Sequence, residues 1–423
     1  MDDGAIPQGK RSRLGRLLGL SARVGGALVR REPSTETARL VLDTLGDLRG
    51  LALKLGQAAV PALDPRGGEV GRLLGGLYTG ARSMSWPRIA ARLEEELGGP
   101  LHHHFASIEP VPFAAASLGQ VHRAVLPGGE VVAVKVQYPG VGDALDDDLG
   151  AAGAAVRIAG LGTDLFDGRR YYELLAAQLR GELDYLQERL QLERFRAEFA
   201  PFPSLVVPRT FPALCTEKVL VMELLEGPTL HDWAHGSASA AKRLEVGLQL
   251  TRAIYGPFLR TGVVHGDPHP GNFVLLGDGR LGVLDFGSTR QVGPAFHRCY
   301  REVFGAVLRG EAIDWVDALE GGGFTVALPK PRAQSLLGEL LAVAARPLRG
   351  PFDFGSNRVV DELVAFGRKR ATDLVRFRPP PEGLIFLRAV LGLVHALQLT
   401  RSAGDFRPVF AEILDLPPDR AAG

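Results

Sequence analysis

The sequence holds little that would define an exported, disulfide-built or polyanion-binding protein. Only two cysteines occur among 423 residues, Cys215 and Cys299. They stand far apart and outside any metal-ligand spacing, which offers no disulfide framework and fits a reducing compartment. Charge of one sign is missing too: 49 basic residues against 48 acidic ones leave +1, so the overall charge does not ask for nucleic acid. The N-terminus lacks a basic start, a clean apolar stretch and a small-residue cleavage site, so no signal peptide is expected. Long hydrophobic runs are also scarce. The longest, Leu384 to Leu397, is about 14 residues and contains Arg388 and His395, too short and too charged to span a bilayer. It is expected to be a buried helix, with no transmembrane helix and a cytoplasmic location. Glycine (53) and proline (29) are plentiful but follow no period, so neither a collagen nor a repeat array is predicted. What remains is 46% hydrophobic and 23% charged, the composition of a folded chain long enough for two lobes or more.

The stretch that organises the chain runs from Val263 to Gly287. It opens with a polar turn rich in glycine and proline, His265-Gly266-Asp267-Pro268-His269-Pro270-Gly271-Asn272. It closes with an apolar strand ending in Asp285-Phe286-Gly287. Between them, two short apolar runs flank Gly277-Asp278-Gly279, which predicts a hairpin. That hairpin would bring Asp267, Asn272 and Asp285 to one end of a small sheet. Phosphoryl transfer needs such a set: one carboxylate to orient the nucleophile, and an amide with a second carboxylate to hold magnesium on nucleotide phosphates. Residue types, order and spacing match the kinase pattern.

Upstream, Arg13 to Arg31 predicts a basic amphipathic helix. It could lie on an anionic membrane surface as a peripheral contact, or dock its apolar stripe on the protein. A second helix over 36–60 carries Lys54 and Gln57 one turn apart on an otherwise apolar element. A third, Trp86 to Leu97, stops at Gly98-Gly99-Pro100. His102-His103-His104 has no acidic or cysteine neighbour, so a metal site is rejected there. The run Ala114 to Val125 and the β-branched run Val131 to Val136 read as strands joined by a glycine turn. The second embeds Lys135, and a buried lysine demands a carboxylate or a phosphate. Where a protein kinase has a glycine-rich phosphate loop, this chain has Ala114-Ala115-Ala116-Ser117, and alanine stiffens such a loop. A long helix over 170–198 is expected to carry Glu182, Asp184 and Glu188, with Asp184 and Glu188 on one face and Glu182 about 200° from Asp184. An apolar strand, Val219 to Glu223, opens into a linker. A strongly apolar helix follows over Ala240 to Thr261. After Gly287 the chain reads as helical, broken near 321–323, 347–354 and 379–381.

Taken together, Lys54-Leu55-Gly56-Gln57, the alanine run 114–117, Glu182-Leu183-Asp184 and His265 to Asn272 resemble the UbiB/AarF-type atypical kinases linked to ubiquinone biosynthesis. The resemblance covers about 48–397. It implies an α+β, protein kinase-like two-lobed fold: a helical extension over 1–100, an N-lobe over 101–222 and a helical C-lobe over 223–423. It implies that Lys54 reaches toward Glu182 and Asp184, with Gln57 beside it, so that the extension regulates access to the site. Lys135 would pair with Glu188 and hold the α/β-phosphates of ATP or ADP. Ala114 to Ser117 would cover those phosphates, and Met222, Glu223 and Leu225 would frame the adenine. Asn272 and Asp285 would hold Mg2+, and Asp267 would orient water or a hydroxyl. The expected activity is a magnesium-dependent ATPase or a small-molecule or lipid kinase supporting quinone biosynthesis. The alternative is a non-catalytic, nucleotide-dependent scaffold for quinone-biosynthesis enzymes. No Ala-Pro-Glu follows Asp285-Phe286-Gly287, so kinase activity on other proteins is not expected. The partners expected are a nucleotide and a lipid or quinone precursor, and no nucleic acid.

Overall fold

A computed structural model describes residues 83–417, except 117, 159–161, 164–165, 168–172, 174–175, 178 and 357–358. The expected helices over Arg13–Arg31 and 36–60, with Lys54 and Gln57, lie outside the described residues, as does Ser117. The chain packs as two units. The first holds the described residues up to Arg189 together with Arg209–Leu224; the second holds Leu190–Pro208 and the described residues from Leu225 on. Segment 190–208, expected within the 101–222 part, therefore goes with the second unit. Helix α1 (Trp86–Leu97), expected in the extension, packs on the sheet of the first.

That sheet has five strands: β1 (Ser107–Ile108), β2 (Ala114–Ala116), β3 (Gly119–Val125), β4 (Val131–Gln137) and β6 (Val219–Glu223). The order is β1-β3-β4-β6 with β2 also paired to β3, all antiparallel. Strand side chains alternate faces, and β4 shows why its run is almost wholly apolar. Val132, Val134 and Val136 are fully buried in a core with Ile89 and Leu93 of α1. Ala133, Lys135 and Gln137 occupy the opposite face and are buried as well. Helix α2 (Val141–Ile158) follows, with Leu145 and Leu149 packed on Ala176 and Leu179. The long helix expected over 170–198 is not continuous. Helical backbone ends at Gly181, a turn covers Glu182 and Leu183, and α3 (Tyr185–Glu198) begins anew. Asp184 causes the restart: its Oδ1 accepts from the Leu186 and Gln187 backbone N–H at 3.0 and 3.1 Å, satisfying groups a helix start leaves orphaned. Asp184 is thus the cap of α3, one turn before Glu188, whose N–H donates to the Asp184 carbonyl at 3.2 Å, while Glu182 lies outside the helix.

The second unit holds the short helix α4 (Leu230–Ala234) and is built on α5 (Ala240–Thr261), capped by Ser239 and buried along most of its C-terminal half. Strand β7 (Val263–His265) leaves α5 and pairs antiparallel with β10 (Thr289–Gln291). Between them lies the expected hairpin: β8 (Phe273–Leu275) and β9 (Leu281–Val283) pair antiparallel, and β9 pairs parallel with β5 (Leu205–Val206). Helices α6 (Pro294–Arg309), α7 (Trp315–Gly321), α8 (Lys330–Ala344), α9 (Val359–Lys369), α10 (Pro381–Leu399) and α11 (Arg407–Ile413) complete the unit. Two strand pairs interrupt this helical tract where none was expected, Thr325–Val326 with Phe377–Arg378 and Phe352–Asp353 with Ala403–Gly404.

Helix α10 corrects the reading of the Leu384–Leu397 run. It is 19 residues long and, among the described residues, the one helix apolar and long enough to cross a membrane by those measures. Only one face is buried, through Gly383, Phe386, Ala389, Leu393, Ala396 and Leu397, whereas Leu384, Leu387 and Leu391 are exposed.

Candidate active site

Each unit carries one group of the expected site residues. In the first, Lys135 stands on the central strand β4, with Val121 and Leu220 as its neighbours across the ladder. It is 9% exposed, and its Nζ lies 2.7 and 2.8 Å from the two carboxylate oxygens of Glu188. Glu188 and Tyr185 are three apart on α3 and so share a face; the Tyr185 ring lies 4.9 Å from the same ammonium. Gln137, on the same face of β4, donates to the Leu183 and Glu217 carbonyls at 2.6 and 3.1 Å, fixing the turn ahead of α3. A charge-assisted pair this well desolvated holds the lysine at a set position.

The alanine run is not a loop. Ala114, Ala115 and Ala116 are strand residues in register with Val121, Gln120 and Gly119. Extended backbone suits alanine, whereas the φ > 0 of a flexible phosphate loop does not. Met222 and Glu223 end β6; Met222 is buried and Glu223 exposed, its Oε2 accepting from the Arg209 N–H at 3.2 Å. Leu225 is the first residue of the second unit after that strand. Glu182 lies in the turn and Asp184 at the start of α3; the expected Lys54 contact to both lies outside the described residues.

In the second unit the hairpin assembles the acid and amide groups. The loop after β7 folds on itself: His269 N–H donates to the Asp267 carbonyl and Asn272 N–H to the His269 carbonyl, both at 2.8 Å. The Asn272 side-chain Nδ2 donates to the same Asp267 carbonyl at 3.1 Å, which leaves the amide oxygen as its acceptor end. Leu284 N–H donates to the Asn272 carbonyl at 2.9 Å, so Asp285 follows one residue beyond the point where the hairpin meets Asn272. Asp285 Oδ1 accepts from Gly287 N–H at 2.9 Å, tightening the Asp-Phe-Gly turn. Gly266 is required here because a Cβ at that position would come 2.3 Å from the Ser288 carbonyl oxygen. An amide oxygen and a carboxylate are the hard donors that magnesium prefers, the remaining positions falling to phosphate and water. The donor set therefore fits the metal, although the described residues hold no cluster of three or more His, Cys, Asp or Glu.

His265 and Phe286 anchor this group from below. Phe286 is 1% exposed and lies 4.2 Å, ring centre to ring centre, from Phe195 of α3. His265, 2% exposed, meets Phe286 edge-on at 5.3 Å. Burial pushes the His265 imidazole below its ordinary value of 6.5, and the charges of Asp267 and Asp285 offset this only in part. Between the folded value and 6.5 the unfolded chain takes up a proton that the folded chain refuses, so stability falls as pH drops below 6.5. His265→Leu is expected to flatten this acid-side slope by up to about 1.4 kcal/mol per pH unit. Urea melts between neutral and mildly acidic pH test it, and an unchanged slope would show that folding does not lower the proton affinity of His265.

Sequence reading missed Arg388. On α10, its Nη2 lies 3.0 Å from Asp267 Oδ1. The available signal was a cation inside an apolar helix, the same signal that singled out Lys54 and Lys135.

A strand lysine paired with a helix glutamate, and a loop and hairpin presenting Asp, Asn and Asp in that order, define a kinase-like α+β protein. A profile of the ABC1 atypical kinase-like domain matches residues 76–317. The mitochondrial atypical kinase COQ8B of Rattus norvegicus is 32% identical over 360 residues, 82% of this chain and 65% of that protein. Its Danio rerio counterpart is 29% identical over 397 residues, covering 90% of this chain and 60% of the other. The chain thus spans less than two thirds of the length of either relative. Among solved structures, Rv3197 of Mycobacterium tuberculosis in complex with erythromycin matches with a TM-score of 0.64 at 25% identity, over 93% of this chain and 98% of that one. The chain belongs to the ABC1 atypical kinase-like family, the UbiB/AarF group.

Proposed function

We propose that the protein binds ATP with magnesium and turns it over, as an ATPase or as a kinase of a small lipid-like molecule in quinone biosynthesis. The observation that carries this reading is the buried Lys135–Glu188 pair, both carboxylate oxygens within 2.8 Å of the ammonium. A buried ion pair seldom repays its desolvation in stability alone, and here it presents a cation that phosphate oxygens can share. Lys135 would take the phosphates, and Asn272 and Asp285 would hold magnesium, whose chemistry is to neutralise phosphate charge. Asp267 orients the attacking water or hydroxyl. The quinone assignment rests on the family resemblance, and the relatives named mitochondrial atypical kinases are in keeping with it. ADP release measured with and without detergent-dispersed lipid and a quinone-like phenol tests the reading. Stimulation by the phenol is expected. Nucleotide binding with no release under any of these conditions would favour the scaffold instead.

A further inference from the structure

Helix α10 touches the loop that carries Asp267 through two residues. Arg388 and Gly392 are four apart, one turn on the same face. Arg388 pairs with the Asp267 carboxylate at 3.0 Å. At Gly392 a Cβ would fall 2.6 Å from Pro268 Cγ and 3.2 Å from its Cδ, so the helix and the loop can approach this closely only with glycine there. One turn of α10 therefore supports two successive loop residues, Asp267 by charge and Pro268 by contact. The loop's other side is tied by its own bonds, the Asn272 amide holding the Asp267 carbonyl at 3.1 Å.

We infer that Arg388 is a positioning residue for Asp267 and that Gly392 sets the distance at which it works. The carboxylate of a nucleophile-orienting acid must keep one rotation about its side-chain bonds, and an aspartate on a Gly- and Pro-rich loop cannot do so unaided. The planar guanidinium supplies both a permanent positive charge and directed donors, a combination lysine cannot reproduce. The pair is 31% and 24% exposed, shielded enough for the charge to be felt and open enough for a substrate hydroxyl to reach the acid. This inference rests on the proposed function for its chemistry, but not for its geometry.

The test uses the full chain with Arg388→Gln, Arg388→Lys and Gly392→Ala. For Arg388→Gln, kcat for ADP release should fall by up to about a hundredfold, the loss that accompanies a misplacement of about 1 Å. Affinity for Mg-ATP should stay within about twofold, because the variant leaves the phosphate and metal groups in place. Arg388→Lys should restore only part of kcat. Hydrogen exchange supplies a readout independent of turnover: backbone amides of 263–275 should exchange faster in Arg388→Gln and Gly392→Ala, with the first unit unchanged. If the wild type releases no ADP, the proposed function fails and exchange alone decides the positioning role. Wild-type exchange in 263–275 of both variants overturns the inference, as does a kcat equal to wild type in Arg388→Gln. If Arg388→Gln does not fold, Arg388→Lys decides: an unaltered kcat contradicts the need for a guanidinium.

Discussion

Asp285→Asn is expected to abolish the magnesium dependence of nucleotide binding. Asp285 supplies the anionic member of the proposed metal set, and its Oδ1 also holds the Gly287 N–H at 2.9 Å. Asparagine keeps the size and can still accept that bond, so the turn should survive while the charge is lost. Magnesium bridging phosphate oxygens relies on carboxylate charge, and neutral amide oxygen replaces it poorly. Affinity for Mg-ATP should drop at least about tenfold, or ~1.4 kcal/mol, and the residual binding should no longer respond to chelator. Melting temperature serves as the control and should hardly change. Titration calorimetry with and without magnesium makes the measurement; affinity within about twofold of wild type would remove Asp285 from the metal set.

Lys135→Met should damage both folding and binding, and a second substitution should separate the two. Glu188 is 5% exposed, so removing Lys135 takes from a carboxylate in a dry setting the cation that it holds with both oxygens. Breaking a buried pair this way costs roughly 3–5 kcal/mol. In a chain of this size that lowers the melting temperature by on the order of 10 °C. Lys135→Met/Glu188→Gln should regain most of that loss, because the buried carboxylate charge is removed with the cation. It should not regain nucleotide affinity, since no cation faces the phosphates. Thermal melts and ATP titrations on the two single variants and the double variant check this. Losses that simply add in the melts would mean that the pair is not coupled, and recovered ATP affinity would place the phosphate-binding cation elsewhere.

The elements legible from sequence were those with period, turn chemistry or a cap on both sides. Helices Trp86–Leu97 and Ala240–Thr261 end where their glycines stand, at Gly98 and Gly262. The hairpin β8–β9 turns through the Gly277-Asp278-Gly279 segment that announced it. Lys135 was conspicuous because a charge interrupted a β-branched run that is buried on both faces. Asp184 was read as one more acid on a helix because an N-cap and a helical acid are the same residue type, and only the restart of backbone bonding tells them apart. The alanine run offered no alternation of polarity from which its pairing in β2 could be read. The strand pairs within the C-terminal helical tract are two residues long, too short for any period. Arg388 needed knowledge of a contact across 121 positions of sequence, the separation from Asp267 to Arg388, which local patterns do not carry.

Magnesium-dependent ADP release in a single-turnover experiment, wild type beside Asp267→Asn, tests the central assignment most directly. The nucleophile-orienting carboxylate is lost in the variant, while Lys135, Asn272 and Asp285 remain to bind the nucleotide. Wild type should convert bound ATP to ADP with magnesium and not with chelator, and Asp267→Asn should bind Mg-ATP with similar affinity yet convert it about 10²-fold more slowly or worse. Equal rates in the two proteins, or a wild type that holds Mg-ATP without converting it in the presence of lipid and phenol, would contradict the account.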